Sequence, residues 1–398
     1  MRITDLGRST ADGRARVTAR VLWEDRDEPP REVFIETEEG FGPDIAASPH
    51  AFLVGCLVPA IHLGERRLAL DAEVCPTLLE GLRTAMGVLH AWYGERWRPI
   101  PLETRTARRP LVRAPGRRAA MFLSGGVDSL AALRLNRLRY PREHPGAVAD
   151  AFLLHGFDIG GVPARGPKYH VFDRARAAMA PVARDAGVEL IPAYTNIRHL
   201  CDQRDLWLEK FFGAVLAAVA HAFAPRVGLV YVASSYDLPN LAPCGSHPLL
   251  DPQYSSHDLA VRHRDVEVSR LEKLRIIAGW DTALQNLRVC LRNAPDLLNC
   301  GECEKCVRTM TGLVAIGALH RTRAFPRDDV PPDLLAAAKM EVRHREPYYL
   351  ELVPALRDRG RDDLADVIEE KLSRAGLLPP GRAAHGSPRG GAGCASGS

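Results

Sequence analysis

A glycine pair followed by an aspartate is the first feature of this sequence that suggests chemistry. The stretch Ser124-Gly125-Gly126-Val127-Asp128-Ser129 separates an apolar run that ends at Leu123 from one that begins at Leu130. Adjacent glycines allow left-handed backbone angles and let successive N–H groups converge on an anion. A helix that begins here would direct its positive end at the same anion, and the two serines add hydroxyl donors. The pattern predicts a phosphate-binding junction between a strand and a helix.

Asp128 is the unusual member of this junction. A carboxylate in the first helical turn suits the helix dipole, but beside a bound phosphate it would repel unless a cation bridged the two, which predicts Mg²⁺. The junction has neither the lysine and spacing of a Walker loop nor the G-x-G-x-x-G spacing of a dinucleotide site. An ordinary Gly-Gly turn, with an aspartate that only favours the dipole, is the alternative that the residues leave open.

Four of the nine cysteines, Cys290, Cys300, Cys303 and Cys306, lie close together in the sequence. Four thiolates complete a tetrahedral zinc site and leave no position for a substrate, so the site would be structural. A [4Fe–4S] cluster also uses C-x2-C-x2-C, but its usual fourth cysteine follows closely and precedes a proline. Zinc is the expected metal. An iron–sulfur cluster and unliganded thiols stay open as alternatives, with Cys244 as the reserve fourth ligand.

The elements that must position these residues begin at residue 119. Strand patterns at 119–123, 149–155, 187–194 and 226–233 alternate with helical patterns at 128–138, 168–186 and 204–224. This alternation is typical of a parallel sheet. We therefore expect an α/β fold with a doubly wound parallel sheet, in which ligands lie beyond the carboxyl ends of the strands.

The sequence on either side of this core has a different character. Residues 1–115 are expected to form a small α+β domain, with strands at 16–23 and 32–37, helices at 49–62 and 76–93, and an arginine- and proline-rich linker at 105–118. The core domain would span 119–315. A helical extension is expected over 316–375, and the Gly- and Ser-rich residues 376–398 predict a disordered tail.

The hexapeptide at 124–129, in its strand–loop–helix context, resembles the pyrophosphate loop of the N-type ATP pyrophosphatases, the PP-loop superfamily. The cysteines that follow it resemble those of 7-cyano-7-deazaguanine synthase, which bind a structural zinc, and Arg308 matches the arginine after that cluster. The resemblance covers residues 119–315. It implies an adenine nucleotide alpha hydrolase-like fold, ATP and Mg²⁺ at the loop, and zinc on the four cysteines.

The resemblance also implies roles for individual residues. Asp128 and Lys273 would be catalytic, because Ser246-His247-Pro248-Leu249 followed by Lys273 resembles the corresponding segment and lysine of the deazaguanine synthase. His155 ends the second strand of the core and would border the base or ribose, while polar residues end the fourth strand. The expected nucleotide-binding residues are Ser124, Gly125, Gly126, Val127, Asp128, Ser129, His155, Ser234 and Asp237.

The reaction implied is that of an AMP-forming C–N ligase. A small-molecule carboxylate or carbonyl substrate would be adenylated with release of pyrophosphate and then transferred to ammonia or an amine, either free or supplied by a separate protein. One alternative is ATP-dependent sulfur transfer, for which Cys201 and Cys244 are the candidate thiols. The other is a non-catalytic, zinc-stabilised nucleotide-binding subunit of a multi-protein system.

Composition adds weaker constraints. The net charge of +4 is small for 398 residues, and no basic face with interleaved aromatic residues is apparent, so we do not expect direct nucleic-acid binding. No apolar stretch is long enough to cross a bilayer, and the first residues do not form a signal sequence. The chain is expected to be cytoplasmic and without a membrane partner, and a homodimer stays open.

Overall fold

The computed structural model describes residues 1–110, 112, 116–157, 159, 168–292, 296–340 and 345–377. Its strands are β1 Arg2–Ala11, β2 Arg14–Leu22, β3 Arg31–Glu38, β4 Leu68–Val74, β5 Leu102–Thr106, β6 Arg118–Phe122, β7 Val148–His155, β8 Glu189–Thr195, β9 Val227–Ala233 and β10 Ala260–Arg264. Its helices are α1 Pro49–His62, α2 Pro76–Tyr93, α3 Val127–Arg139, α4 Tyr169–Ala186, α5 Arg204–Leu206, α6 Phe212–Ala222, α7 Arg270–Ala278, α8 Asp281–Gln285, α9 Glu304–Ala315, α10 Pro332–Ala337, α11 Glu346–Leu350, α12 Leu352–Asp358 and α13 Asp362–Arg374. A π-helical turn, Trp207–Phe211, joins α5 to α6.

All ten strands belong to one mixed sheet, in the order β10-β9-β6-β7-β8-β3-β2-β1-β4-β5. The five strands from β10 to β8 pair in parallel, and antiparallel pairing joins β8 to β3, β3 to β2 and β2 to β1. The chain leaves β6 towards β7 and β8 and then returns to place β9 on the other side of β6. The predicted α/β class is confirmed.

The strands of residues 1–115 extend the sheet of the core rather than forming a sheet of their own. Ile35 of β3 lies opposite Thr195 of β8, and the Thr37 hydroxyl donates to the Pro192 carbonyl at 2.7 Å. Helix α1 packs against α6 closely enough that a Cβ at Gly55 would lie 3.4 Å from Ala218 Cβ. The two parts share a sheet and a core, and the domain boundary near residue 115 stays a prediction.

Alternate side chains of β7 enter different cores, because successive residues of a strand point to opposite faces of the sheet. Phe152 and Leu154 pack with α1 and α6, whereas Ala151 and Leu153 pack with α3, α4 and the helices that follow residue 270. Helices thus cover both faces of the sheet, β7 is almost wholly buried, and more than half of the residues of β6, β8 and β9 are buried.

The predicted core elements are confirmed within a few residues at each end, and so are both predicted strands and both predicted helices of the first hundred residues. Ser269 caps α7, with its hydroxyl oxygen accepting from the Glu272 N–H at 3.3 Å. The sequence pattern missed four strands, β1, β4, β5 and β10. Each lies towards an edge of the sheet or carries many polar residues, so its periodicity is weak.

The described helices include none with the length and apolar character needed to span a membrane. The chain after the cysteines is helical, as predicted, although it is divided into several short helices from α9 to α13. Most of the predicted disordered tail, from residue 378 onward, lies outside the described residues.

Candidate functional site

The glycine junction lies between the carboxyl end of β6 and the first turn of α3. Gly125 has a φ of +81°, and a Cβ at this position would lie 2.9 Å from the terminal methyl group of Met179, so only glycine fits without strain. The Arg288 N–H donates to the Gly125 carbonyl at 2.8 Å. Gly126 directly precedes α3 and has no side chain that could cap the first N–H groups of that helix. The start of α3 is therefore open to an external anion.

The two serines of the junction have different positions. Ser129 is buried, and its hydroxyl donates to the Gly126 carbonyl at 3.1 Å. Ser124 is exposed, and its hydroxyl oxygen accepts from the Gly126 N–H at 3.3 Å. The Ser124 and Ser129 hydroxyl oxygens are 3.3 Å apart. Ser129 fixes the turn, whereas Ser124 is accessible to a ligand.

Two cations hold the carboxylate of Asp128. Arg270 Nη2 lies 3.4 Å from Asp128 Oδ2, and Lys273 Nζ lies 3.4 Å from Asp128 Oδ1. The Lys273 ammonium also donates to the Ser234 carbonyl at 2.6 Å. Burial by itself lowers the pKa of Arg270, but the Asp128 charge and Tyr348 outweigh it and raise that pKa above its usual value. Arg270 is therefore cationic and positions this carboxylate together with Lys273.

A cavity of about 260 Å³ opens beside the junction. Its apolar wall consists of side chains from the carboxyl halves of β6 and β7, from the segments that follow them and from α6. Its polar wall combines the junction with side chains from α7, α9 and the segment before the cysteines. The lining residues include Phe122, Leu123, Phe152, Leu154, Phe157, Ile159 and Leu216 on the apolar side, and Ser124, Gly126, Asp128, Ser235, Arg270, Arg288, Lys305, Arg308 and Thr309 on the polar side.

The charges of this cavity are unbalanced. Among the described residues that line it, four carry a cationic side chain, Arg270, Arg288, Lys305 and Arg308, and Asp128 alone carries a carboxylate. A concave site with excess positive charge and an apolar wall attracts an anionic ligand that also has an apolar part. A nucleotide has both properties.

Five of the nine residues expected to bind the nucleotide do not line the described cavity, namely Gly125, Ser129, His155, Ser234 and Asp237. His155 lies on the opposite face of the sheet, stacked on Tyr169 with ring centres 4.8 Å apart. Ser234 is buried and holds Lys273 through its carbonyl, and Asp237 accepts from the Asn240 side chain at 2.6 Å. Lys273 is 2% exposed at its side chain and lies behind Asp128. Direct contact of these residues with a nucleotide stays a prediction.

The structure adds cations that the sequence pattern did not single out. Arg270 precedes Lys273 by one helical turn and reaches the same carboxylate. Arg288 lies two residues before Cys290, and Lys305 lies between Cys303 and Cys306, so both are next to a motif that was recognised for another reason. The scarcity of lysine, with only six in the chain, was the one available signal for Lys305. Arginine is so common in this chain that the presence of one does not indicate a site residue.

The four cysteines converge as the sequence predicts. Their sulfur atoms all lie within 4.8 Å of one another. Cys303 Sγ is 3.4 Å from Cys306 Sγ and 4.0 Å from Cys290 Sγ, while Cys300 Sγ is 3.9 Å from Cys306 Sγ. A tetrahedral ion with metal–sulfur bonds of about 2.3 Å requires sulfur atoms about 3.8 Å apart. The cluster is thus arranged to bind a metal ion such as zinc.

Asn299, which the sequence analysis did not identify, connects the two cysteine-bearing segments. Its side-chain oxygen accepts from the N–H groups of Val289 and Cys290, at 2.8 and 3.2 Å. Its amide nitrogen donates to the Leu287 and Ala324 carbonyls, both at 2.8 Å. This buried side chain uses its full set of hydrogen bonds to place Cys290 beside the cluster formed by the later cysteines.

The cysteine cluster and the cavity share their supporting elements. Arg288 lies two residues before Cys290 and bonds to the glycine junction through its N–H. Helix α9 begins directly after Cys303 and carries Lys305, Arg308 and Thr309 into the cavity wall. A metal ion on the cysteines would therefore fix the two segments that supply three of the four lining cations.

Comparisons of the chain with models of protein families, with curated proteins and with solved structures found no match. The interpretation that follows depends on the geometry of the site and on its motifs.

Proposed function

We propose that this protein is an ATP pyrophosphatase that adenylates a carboxylate or carbonyl substrate, releases pyrophosphate and transfers the activated group to ammonia or an amine. One observation carries the proposal. The Ser-Gly-Gly-Val-Asp-Ser junction opens at the carboxyl end of a central parallel strand into a cavity with an apolar wall and four lining cations. This is the environment that a nucleoside triphosphate needs.

The order of the parallel strands supports the finer description of the fold. The chain runs from β6 to β7 and β8 in one direction and then returns to β9 and β10 on the other side of β6. The point where the strand order reverses, between β6 and β9, is where ligands bind in open α/β sheets. We therefore propose a doubly wound, adenine nucleotide alpha hydrolase-like core, to which residues 1–115 add five further strands.

In this proposal the cations of the cavity bind the phosphate chain, and the apolar wall receives the adenine ring. A substrate oxygen attacks the α-phosphorus and forms a P–O bond, while the bond to the β-phosphate oxygen breaks and pyrophosphate leaves with the electron pair. Arg270, Arg288, Lys305 and Arg308 would stabilise the charge on the leaving group. Ammonia or an amine then attacks the acyl carbon, and AMP leaves.

Asp128 is suited to hold Mg²⁺. It is the lining carboxylate of the described cavity, and Mg²⁺ is commonly bound by one or two carboxylates together with phosphate oxygens. When bound, the ion would supply charge neutralisation on the phosphates. Lys273 and Arg270 orient this carboxylate. Lys273 would therefore contribute to catalysis indirectly, by positioning Asp128.

We propose zinc as the metal of the cysteine cluster, with a structural role. Four thiol ligands fill a tetrahedral site, and such closed sites bind zinc without leaving room for a substrate. Zinc bound here would hold Arg288 and α9 in place. The chemistry would then take place at the cavity and not at the metal.

Sulfur transfer is disfavoured by the two candidate thiols. Burial raises the pKa of Cys201 to about 11 and also raises the pKa of Cys244, whereas a reactive thiol needs a lowered pKa. Neither thiol is among the described residues that line the cavity. Experiments with candidate compounds would identify the acyl substrate and the amine donor, including a donor supplied by a partner protein.

Serine substitution of these thiols separates ligation from sulfur transfer. We expect Cys201→Ser and Cys244→Ser each to release pyrophosphate within about twofold of the wild-type rate, because neither thiol is activated or close to the junction. The measurement is pyrophosphate release with the substrate that supports turnover. A loss of turnover in one variant, with an unchanged melting temperature, would instead favour thiolation.

The experiment that tests the proposed function is the exchange of labelled pyrophosphate into ATP, with panels of small carboxylates and carbonyl compounds. Exchange that depends on one of these compounds, together with AMP formation on addition of ammonia, is the expected result. A chain that binds MgATP but supports no exchange with any compound would point to the non-catalytic nucleotide-binding subunit. A chain that binds no nucleotide would contradict the assignment altogether.

A further inference from the structure

Tyr348, in α11 of the C-terminal extension, lies against two of the cations of the cavity. Its ring centre is 4.9 Å from Arg270 Cζ and 4.7 Å from Arg308 Cζ. The residue is only 7% exposed. Its hydroxyl donates to the carbonyl of Ser235 at 2.9 Å, and its ring stacks on Tyr236 with the two centres 5.7 Å apart.

The two arginines need such a neighbour because they are of like charge and largely buried, with 16% and 11% of their side chains exposed. Their guanidinium carbons lie 4.9 and 4.7 Å from the centre of the same tyrosine ring, so the two positive charges are near each other. One carboxylate compensates each guanidinium, Asp128 for Arg270 at 3.4 Å and Glu304 for Arg308 at 3.3 Å. The faces of an aromatic ring attract cations, more strongly where water is excluded. The ring of Tyr348 therefore stabilises both guanidinium groups at once.

The extension also fixes the two helices that carry these arginines. The carboxylate of Glu351, at the end of α11, accepts from the Leu271 N–H of α7 at 3.1 Å. The hydroxyl of Tyr349 donates to Glu304 of α9 at 3.2 Å. Helices α7 and α9 approach the cavity from different parts of the sequence, and α11 bonds to both.

We propose that Tyr348 is a positioning residue, whose ring holds Arg270 and Arg308 in the orientation that binds the phosphate chain of the nucleotide. The inference rests on the proposed function, because it assigns the two arginines to the phosphates of ATP. It makes the C-terminal extension part of the nucleotide site. The sequence motifs at 124–129 and 290–306 do not indicate such a role.

The test compares Tyr348→Leu with Tyr348→Phe in the full-length protein. Inorganic pyrophosphate and MgATP are titrated by calorimetry. Loss of the ring removes two cation–π contacts and should weaken pyrophosphate binding about tenfold. Tyr348→Phe keeps the ring and loses the hydroxyl group with its hydrogen bond to Ser235, so it should bind within about twofold of the wild type.

Kinetics separate positioning from a general loss of structure. In Tyr348→Leu we expect the KM for ATP to rise about tenfold while kcat changes little, because ground-state binding of the phosphates is weakened. The control is Leu356→Ala, which removes a wholly buried side chain of the same extension that does not line the cavity. It should lower the melting temperature and leave the affinity for pyrophosphate unchanged.

Two results would overturn the inference. One is wild-type affinity for pyrophosphate in Tyr348→Leu, and the other is an equal loss of affinity in Leu356→Ala. If Tyr348→Leu is insoluble, Tyr348→Met provides the same comparison with a more adaptable apolar side chain. A wild-type protein that binds neither pyrophosphate nor MgATP would overturn the proposed function, and this inference with it.

Discussion

Replacing Asp128 with asparagine is expected to reduce the rate of pyrophosphate release by about 10²- to 10³-fold, with little change in the fold. The substitution keeps the size of the side chain and removes its charge. Asp128 is the lining carboxylate of the described cavity, so the variant loses the group proposed to hold Mg²⁺. The rate is measured by pyrophosphate release at saturating MgATP, and the fold by circular dichroism.

Loss of this charge should also be visible in the electrostatics of the site. Arg270 and Lys273 both lie 3.4 Å from the Asp128 carboxylate, and in the variant they face an uncharged amide. Free pyrophosphate should therefore bind at least as tightly to Asp128→Asn as to the wild type when magnesium is absent. Retained pyrophosphate binding with lost turnover would place the effect on the metal-dependent step and not on a collapsed cavity.

Asp363→Asn is the matched control. Asp363 lies in the first turn of α13, which has 13 residues like α3, and it pairs with Arg361 at 2.9 Å. If Asp128 only favoured a helix dipole, the two variants would behave alike, with a small loss of stability and full activity. Turnover of Asp128→Asn near the wild-type rate would contradict the assignment of the junction.

Replacing Cys306 with serine is expected to abolish stoichiometric zinc binding and, with it, nucleotide binding. Cys306 is wholly buried, and its sulfur lies 3.4 Å from Cys303 Sγ. Structural zinc sites contribute about 10–16 kcal/mol in small domains, as much as the whole folding free energy of about 5–15 kcal/mol. We expect a large fall in the melting temperature, measured by circular dichroism, and metal loss, measured by plasma mass spectrometry.

The effect on the nucleotide follows from the position of α9. This helix begins beside Cys303 and supplies Lys305 and Arg308 to the cavity, so it should lose its fixed orientation when the ion is lost. Calorimetric titration with pyrophosphate should show no binding to the zinc-free protein. Chelation of zinc from the wild type should reproduce both losses.

Cys56→Ser controls for the removal of a buried thiol. Cys56 is wholly buried in α1 and lies outside the cysteine cluster, so this variant should lose some stability but retain its metal and its affinity for pyrophosphate. Purified wild type that is brown and contains iron would favour an iron–sulfur cluster. Stoichiometric zinc in Cys306→Ser would contradict the four-thiolate site.

The elements with the strongest periodicity could be predicted from the sequence. Strand β7 is apolar and helix α4 is amphipathic; both are long and regularly patterned, and their predicted bounds agree with the structure within one or two residues. Strand β10 could not be predicted, because only two of its five residues are apolar and they are followed by Arg262, His263 and Arg264 inside a polar segment. Its pairing with β9 is a tertiary contact that no local pattern records.

The same contrast applies to the site. The junction at 124–129 and the four cysteines are local motifs, in which neighbouring residues carry most of the geometry. Arg270 and Tyr348 come from distant segments and meet only because α7 and α11 pack together, and Arg288 reaches the glycine junction from the segment before the cysteines. Arginine and tyrosine have no spacing rule that would have identified them in advance.

The sequence by itself determined the glycine junction, the cysteine cluster and the alternation of strands and helices between them, because each depends on residues close together in the chain. Only the tertiary structure decided that residues 1–115 extend the same sheet, that Lys273 lies behind Asp128 and that the C-terminal extension contacts the cations of the cavity. All three outcomes depend on strand pairing or on helix packing. In the first two, the segments that meet are more than a hundred residues apart in the chain. Such contacts are selected by the burial of apolar surface over the whole chain.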